Sequence, residues 1–327
     1  MSSPDGLTVA VTGPTGTFGS ALVPLLQEND RVARVIGIAR RPFDPGRHGW
    51  TKMTYRQGDV RDPETLRKAF EDADVVVHLA FLITGNAPRQ TTRAINVDGT
   101  LHTFRAAVAV GARRFVHASS VAAYGFGRDL PERIDEDWPV RPAARLFYAR
   151  EKAELEGLLE AESARGGPEL YVLRPPIVVG PDAVGTNDLV PVGRRLLGRP
   201  RRLPVPLPVP VPEHPLQLVH ADDVGQALLL CVVGAGPPGA YNIAGDGVLT
   251  AADVAREFGA LPLRFPPAAT QWAARTAARL PFLPPVAEWV EAASQPVLVD
   301  STRAKERLGW RPRYTGLEAL RDSLRAD

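Results

Sequence analysis

The chain has 327 residues, 44% of them hydrophobic, enough to bury one large core with a smaller region beside it. Its 39 basic and 37 acidic residues leave a formal charge of +2, too balanced for a polyanion-binding surface, so nucleic acid is not an expected partner. A single cysteine, Cys231, excludes an intramolecular disulfide, and the apolar runs Val75–Ile83 and Ala227–Val233 are too short to cross a bilayer. With no basic and then apolar segment after Met1, a cytoplasmic protein with no membrane partner is expected.

Leu7–Thr12 reads as a first strand. The turn Gly13-Pro-Thr15-Gly16-Thr17-Phe18-Gly19 follows it, and a helical pattern runs on over Phe18–Glu28. At such a turn Gly13 permits the tight bend, Gly16 lets the backbone approach a pyrophosphate, and Gly19 lets the helix pack closely, while the helix N-terminus supplies positive potential. Further strands are expected at Val32–Ile38, Val75–His78, Arg114–Ala118 and Leu170–Leu173. Helical patterns at Pro63–Phe70, Thr91–Val110 and Ala143–Ser163 are spaced as crossovers between parallel strands.

This alternation predicts an α/β fold, a doubly wound parallel sheet of Rossmann type over residues 1–180. A smaller, mainly substrate-binding region is expected over 181–327, with about 216–233 returning to the first domain. In the second region, Leu203-Pro-Val-Pro-Leu-Pro-Val-Pro-Val-Pro must be extended, since alternating prolines forbid helix; it reads as a connector or as an apolar wall or lid. The pattern from Ala268 to Ala293, with Trp272 and Trp289, reads as helical core or as a cap on a pocket or subunit face. No His-Glu-x-x-His run or Cys/His cluster is present, so no metal is expected; His78, His117 and His220 read as satisfied core residues.

Tyr148 and Lys152 lie four residues apart in a helical pattern, so both project from one face. A nearby ammonium and a cationic nicotinamide ring favour phenolate, which would let Tyr148 exchange a proton with a substrate oxygen. Arg150 and Glu151 between them are expected to face solvent. After the second strand, Ala39-Arg40-Arg41 places two guanidinium groups where an acidic residue would otherwise accept from the adenine ribose hydroxyls, which favours NADP(H) while leaving NAD(H) possible.

The glycine spacing resembles that of the extended short-chain dehydrogenase/reductase superfamily, the NAD-dependent epimerase/dehydratase-like family. So do Gly58-Asp59-Val60-Arg61-Asp62, His78-Leu79-Ala80, Asn96-Val97-Asp98-Gly99-Thr100, Ser119-Ser120 through Tyr124-Gly125, Tyr148 to Lys152, Leu173-Arg174-Pro175 and Val219-His220-Ala221-Asp222-Asp223. The resemblance spans nearly the whole chain. It implies Ser120, Tyr148, Lys152 and Asn96 as the catalytic set, with Ser120 holding the reacting oxygen and Lys152 also binding the nicotinamide ribose. It places Gly13, Thr15, Gly16, Thr17, Phe18, Gly19, Arg40, Arg41, Asp59, Val60, Leu79, Ala80, Phe81, Pro175 and Ile177 along the cofactor. Ile83, Ala122, Tyr124, Pro176 and Val178 are left to line the substrate pocket.

Three departures separate the chain from the nucleotide-sugar members it resembles. Val121 and Ala122 stand where dehydratases carry Asp and Glu, Ile177 where an Asn is common, and Leu216 where a diphosphate-binding Arg often begins its segment. Arginines at 194, 195, 199, 201 and 202 are the available compensation. The expected activity is therefore a ketone reductase or secondary-alcohol dehydrogenase on a less polar small molecule. Two rivals stand beside it, a nucleotide-sugar epimerase that retains its cofactor and a non-catalytic NADP-binding redox sensor. The resemblance also implies a possible homodimer through Thr91–Val110 and Ala143–Ser163.

Overall fold

The computed structural model describes residues 6–83, 88–126, 129–141, 146–181, 183, 208–212, 214–265 and 297–325. Strands β1 (Leu7–Thr12), β2 (Val32–Ala39), β3 (Met53–Gln57), β4 (Val75–His78), β5 (Arg114–Ala118), β6 (Glu169–Arg174) and, much later in the chain, β11 (Gly239–Asn242) form one seven-stranded sheet. Its order is β11-β6-β5-β4-β1-β2-β3 and every pairing is parallel. The order reverses between β1 and β4, so a crevice opens at their carboxyl ends, where Thr12 lies opposite His78. That crevice positions the site.

Both faces of the sheet are covered, which is why β1 and β4 read as continuous apolar runs. On one face lie α1 (Thr17–Glu28) and α6 (Ala221–Val232). Helix α1 buries Gly19, Leu22, Val23 and Leu26, the i, i+3, i+4, i+7 stripe of a helix lying on a sheet. Each of its three large side chains contributes roughly 1.5–3 kcal/mol. Gly225 of α6 lets the two helices meet almost backbone to backbone, since a Cβ there would fall 2.7 Å from the Ala21 carbonyl.

The other face carries α2 (Pro63–Ala69), α4 (Gly99–Ala109) and α5 (Phe147–Ser163), whose Leu66, Phe104 and Leu159 pack on Val76, Phe115 and Val172. The helix expected over Thr91–Val110 is not continuous. It comprises α3 (Arg89–Arg93), a π turn over Ala94–Asp98, and α4. The wider turn inserts a residue into the ladder just ahead of Gly99, whose Cβ would meet Val60 Cγ2 at 2.6 Å. Helix α5 begins at Phe147; residues 143–145 of the expected helix lie outside the described residues.

In the C-terminal region, β7 (Ile177–Val179) pairs in parallel with β10 (Leu218–His220), and β9 (Pro215–Leu216) pairs antiparallel with β12 (Leu249–Thr250). Helices α7 (Ala251–Glu257) and α8 (Gly316–Arg325) cover them. Leu216 joins Val179, Leu218, Leu249 and Leu320 in an apolar cluster. Within the proline-rich stretch, β8 (Pro208–Pro212) pairs in parallel with β13 (Leu261–Phe265). A proline at every second position removes donors from one edge only, leaving the Val209 and Val211 amides for the other. The rest of that stretch, the five arginines from 194 to 202, Trp272 and Trp289 lie outside the described residues.

Candidate active site

The turn after β1 has the conformation its glycines permit. Gly13 sits at φ +72°, and a Cβ on it would be 3.1 Å from Ala80 N, so the loops after β1 and β4 touch across the crevice. Gly16 has only the Gly13 carbonyl, at 3.6 Å, near its absent Cβ, which leaves bare backbone at the start of α1. A Cβ on Gly19 would fall 2.4 Å from the Gly13 carbonyl oxygen. Gly19→Ala is therefore expected to open the turn and weaken dinucleotide binding by at least tenfold, equivalent to about 1.4 kcal/mol; calorimetric titration with cofactor measures it. Thr15 is exposed, Thr17 and Phe18 half-buried.

His78 fixes the opposite lip. Thr100 Oγ1 donates to the Asn96 carbonyl, so it accepts from His78 Nε2 at 2.9 Å, and His78 Nδ1 accepts from Thr12 Oγ1 at 2.8 Å. Burial, and then Lys152, push the imidazole down to about 3, so it is neutral as this pattern requires. Thr12 Oγ1 in turn accepts from Leu79 N and Ala80 N at 3.3 and 3.4 Å, seating the half-buried Leu79 and Ala80 beside Gly13. His220 also has partners, Asp322 and the Asp222 amide. His117 departs from expectation: it is buried, with no partner for either ring nitrogen among the described residues.

After β2, Tyr55 Oη donates to the Ala39 and Arg41 carbonyls and Gln57 Nε2 to the Arg40 carbonyl at 2.9 Å. The backbone of this turn is thereby held while the exposed Arg40 and Arg41 side chains make no ion pair among the described residues. Asp59 is gripped by Arg61, whose hydrogen bond holds the carboxyl below its ordinary range, with Arg40 adding to the effect. Val60 turns its side chain into the core.

Ser120, Tyr148 and Lys152 come together at the end of β5. Ser120 caps the short turn Val121–Tyr124 by accepting from Ala122 N at 3.2 Å, and its hydroxyl hydrogen-bonds Tyr148. Lys152 Nζ donates to the Ala118 carbonyl at 2.6 Å and lies 3.5 Å from the centre of the Phe81 ring and 5.9 Å from that of Tyr148. Burial lowers Lys152 to about 7, against the opposing pull of Glu156 and Glu151. Burial also raises the Tyr148 phenol above its ordinary value, which the Ser120 hydrogen bond only partly offsets. Lys152 is not among the groups that lower it, and the phenol is protonated at neutral pH.

Three residues near the site are buried. Asn96 is fully buried: its Oδ1 accepts from Leu82 N at 2.7 Å, and its Nδ2 donates to the Leu82 carbonyl and to Glu151 Oε2. Glu151 does not face solvent, because the Asn96 contact takes it inward to 7% exposure. Tyr124 is buried as well. At 1% exposure, it donates to Asn242 Oδ1 and accepts from Arg174 Nη1.

Behind it, Glu156 receives Arg174 through two guanidinium nitrogens and also takes the Ser119 hydroxyl. The spacing that revealed Tyr148 and Lys152 extends one more step to Glu156. Pro175 is buried, and its carbonyl accepts from Val121 N; Pro176 and Val178 are half-buried, while Ile83 and Ile177 are exposed. Ala122, Leu146, Phe147 and Tyr148 form an apolar cluster with Phe81 and Phe126.

Among the described residues there is no cluster suited to a metal and no helix long and apolar enough to cross a membrane. A parallel sheet with a glycine turn at its reversal point, and a Ser, Tyr and Lys beside it, defines an NAD(P)-dependent enzyme of the extended short-chain dehydrogenase/reductase type. The chain belongs to the NAD dependent epimerase/dehydratase family, whose model matches residues 9–244. It is 28% identical over 329 residues to an uncharacterized protein of Mycobacterium tuberculosis, covering 97% of this chain and 83% of that one. It is similar over a shorter stretch to sterol demethylase protein B of Methylococcus capsulatus, 33% identical over 178 residues, 54% of this chain and 52% of that protein. Among solved structures, MoeE5 in complex with UDP-glucuronic acid and NAD is 25% identical, with 96% of each chain covered and a TM-score of 0.70.

Proposed function

We propose that the protein is an NADP-preferring ketone reductase or secondary-alcohol dehydrogenase acting on a relatively apolar carbonyl or hydroxyl compound. The observation that carries this reading is the setting of the Tyr148 hydroxyl, hydrogen-bonded to Ser120 within a cluster of Phe81, Ala122, Phe126, Leu146 and Phe147. Such walls favour an apolar substrate with one polar group to orient. The likeness to a protein named for sterol demethylation supports it; the likeness to MoeE5 with its nucleotide sugar supports the epimerase rival.

The residues present fit a dinucleotide. Bare backbone at Gly13 and Gly16 and the N-terminus of α1 suit its pyrophosphate, and Arg40 and Arg41 suit a 2′-phosphate. When bound, the nicotinamide supplies the hydride. Ser120 donates to the substrate oxygen and holds it beside Tyr148, which hands over its phenolic proton as negative charge develops there. Lys152, released from the Ala118 carbonyl, would bind the nicotinamide ribose and offset the charge left on the phenol. A buried phenol that stays protonated at neutral pH suits the reducing direction.

A screen of apolar ketones and secondary alcohols against UDP-glucose, followed by nicotinamide absorbance with added NADPH or NADP, tests the reading. Net oxidation of NADPH by ketones is expected. Sugar inversion without any absorbance change, and inert ketones, would establish the rival. Arg40→Ala and Arg41→Ala are each expected to weaken NADP(H) about ten- to hundredfold by removing a charge-assisted contact worth about 1.5–3 kcal/mol, with NAD(H) little changed. Calorimetry in which NAD binds as tightly as NADP, indifferent to both substitutions, would end the NADP assignment. A homodimer through α4 and α5 is part of the proposal, and light scattering decides it.

A further inference from the structure

Glu151 stands immediately before Lys152 on α5, yet it is buried and has no ion pair at contact distance among the described residues. Arg93, which feels its charge, is committed to Glu154 through two nitrogens at 2.8 and 2.6 Å. Glu151 Oε2 instead accepts from Asn96 Nδ2 at 2.7 Å. Asn96 holds both the amide and the carbonyl of Leu82, the residue after Phe81. The Phe81 ring then returns to the starting point, edge-on to Tyr148 at 5.7 Å between ring centres and directly under Lys152 Nζ. The contacts close into a ring.

We propose that Glu151 is a positioning residue that, through Asn96 and Leu82, holds the Phe81 ring against Tyr148 and Lys152, and sets a buried carboxylate next to Lys152 on α5. The inference rests on reading Lys152 as a cofactor ligand, as proposed above. An amide at position 151 would keep the acceptor for Asn96 and lose the charge; an alanine would lose both. The groups facing Lys152 are Tyr148, Glu151 and Glu156 from its own helix, His78 from β4 and His117 from β5, with Arg174 of β6 bound to Glu156. Both histidines are held uncharged by burial, so the two carboxylates are the groups that favour the ammonium.

The sign follows. A cofactor ribose held by an ammonium is bound best below the pKa of Lys152, and affinity falls as pH rises through it. Removing the Glu151 charge lowers that pKa, so the fall moves to lower pH.

The test needs no substrate: NADH and NADPH are titrated by fluorescence between about pH 5 and 10 against the intact protein, Glu151→Gln and Glu151→Ala. NADH has no 2′-phosphate to titrate, so its curve isolates the protein. Glu151→Gln is expected to move the fall in affinity down by about one pH unit while matching the parent at low pH. Glu151→Ala should show the same shift and bind about tenfold more weakly throughout, as Leu82 and Phe81 are released. A pH-dependent parent with a coincident Glu151→Gln curve overturns the proposal alone. A flat parent curve overturns the Lys152 assignment and the proposal with it. Should the alanine variant fail to fold, the glutamine variant still decides.

Discussion

Replacing Tyr148 by phenylalanine is expected to lower turnover about 10³-fold, within the roughly 10²–10⁴ range for removal of a positioned acid–base group. Cofactor affinity should stay within about twofold, because the ring keeps its place in the cluster of Phe81, Leu146 and Phe147 and Lys152 keeps its own contacts. Ser120 loses one partner but still accepts from Ala122 N, so the turn over Val121–Tyr124 remains capped. Single-turnover measurement with the best ketone from the screen separates the two effects. A variant with full turnover would remove Tyr148 from the chemistry. A variant with weakened cofactor binding and unaltered turnover of bound substrate would assign the phenol to binding.

The sheet was legible wherever strands are buried on both faces, since Val9, Val11, Val75, Val77 and Val116 leave no polar alternation. Met53–Gln57 carries exposed polar residues along an edge strand, and Gly239–Asn242 is four residues long with a glycine at its start. Neither has a periodicity that sequence alone can grade. The glycine turn and the Tyr148/Lys152 spacing are legible from their places on elements, whereas Ser120 follows only from the family resemblance.

Glu151 was misread for a definite reason. A carboxylate between two helix positions looks solvated unless its partner is known, and that partner, Asn96, is turned toward it by a π turn that a regular helical pattern over Thr91–Val110 conceals. The Leu82 contacts of Asn96 were hidden in the same way. The place of Tyr124 near Ser120 reads as that of a support or pocket residue, while the groups that hold its hydroxyl, Arg174 and Asn242, come from distant strands.

Those distant groups bear on the second large effect, the loss of Glu156. Arg174 and Glu156 are 4% and 2% exposed, and their side chains meet through Arg174 Nη2 at 2.5 Å and Nε at 3.0 Å. Burial disfavours the guanidinium charge, yet Glu156 outweighs burial and holds Arg174 above its ordinary range. Glu156→Ala leaves that charge buried without its counterion and is expected to cost about 3–5 kcal/mol. In a chain of this size that is a fall in Tm of roughly 4–7 °C.

Replacing both partners, as Glu156→Leu with Arg174→Met, should recover most of the loss, because the cost belongs to the orphaned charge more than to the missing bond. Catalysis should not recover with stability. Ser119 and Tyr124 also bond to this pair, and they flank the turn that carries Ser120. Thermal and urea denaturation of the single and double variants, read as a mutant cycle beside their turnover, separates the two. A double variant restored in both Tm and turnover would confine the pair to holding the fold. One restored in Tm alone would show that the same buried charges aim the catalytic serine.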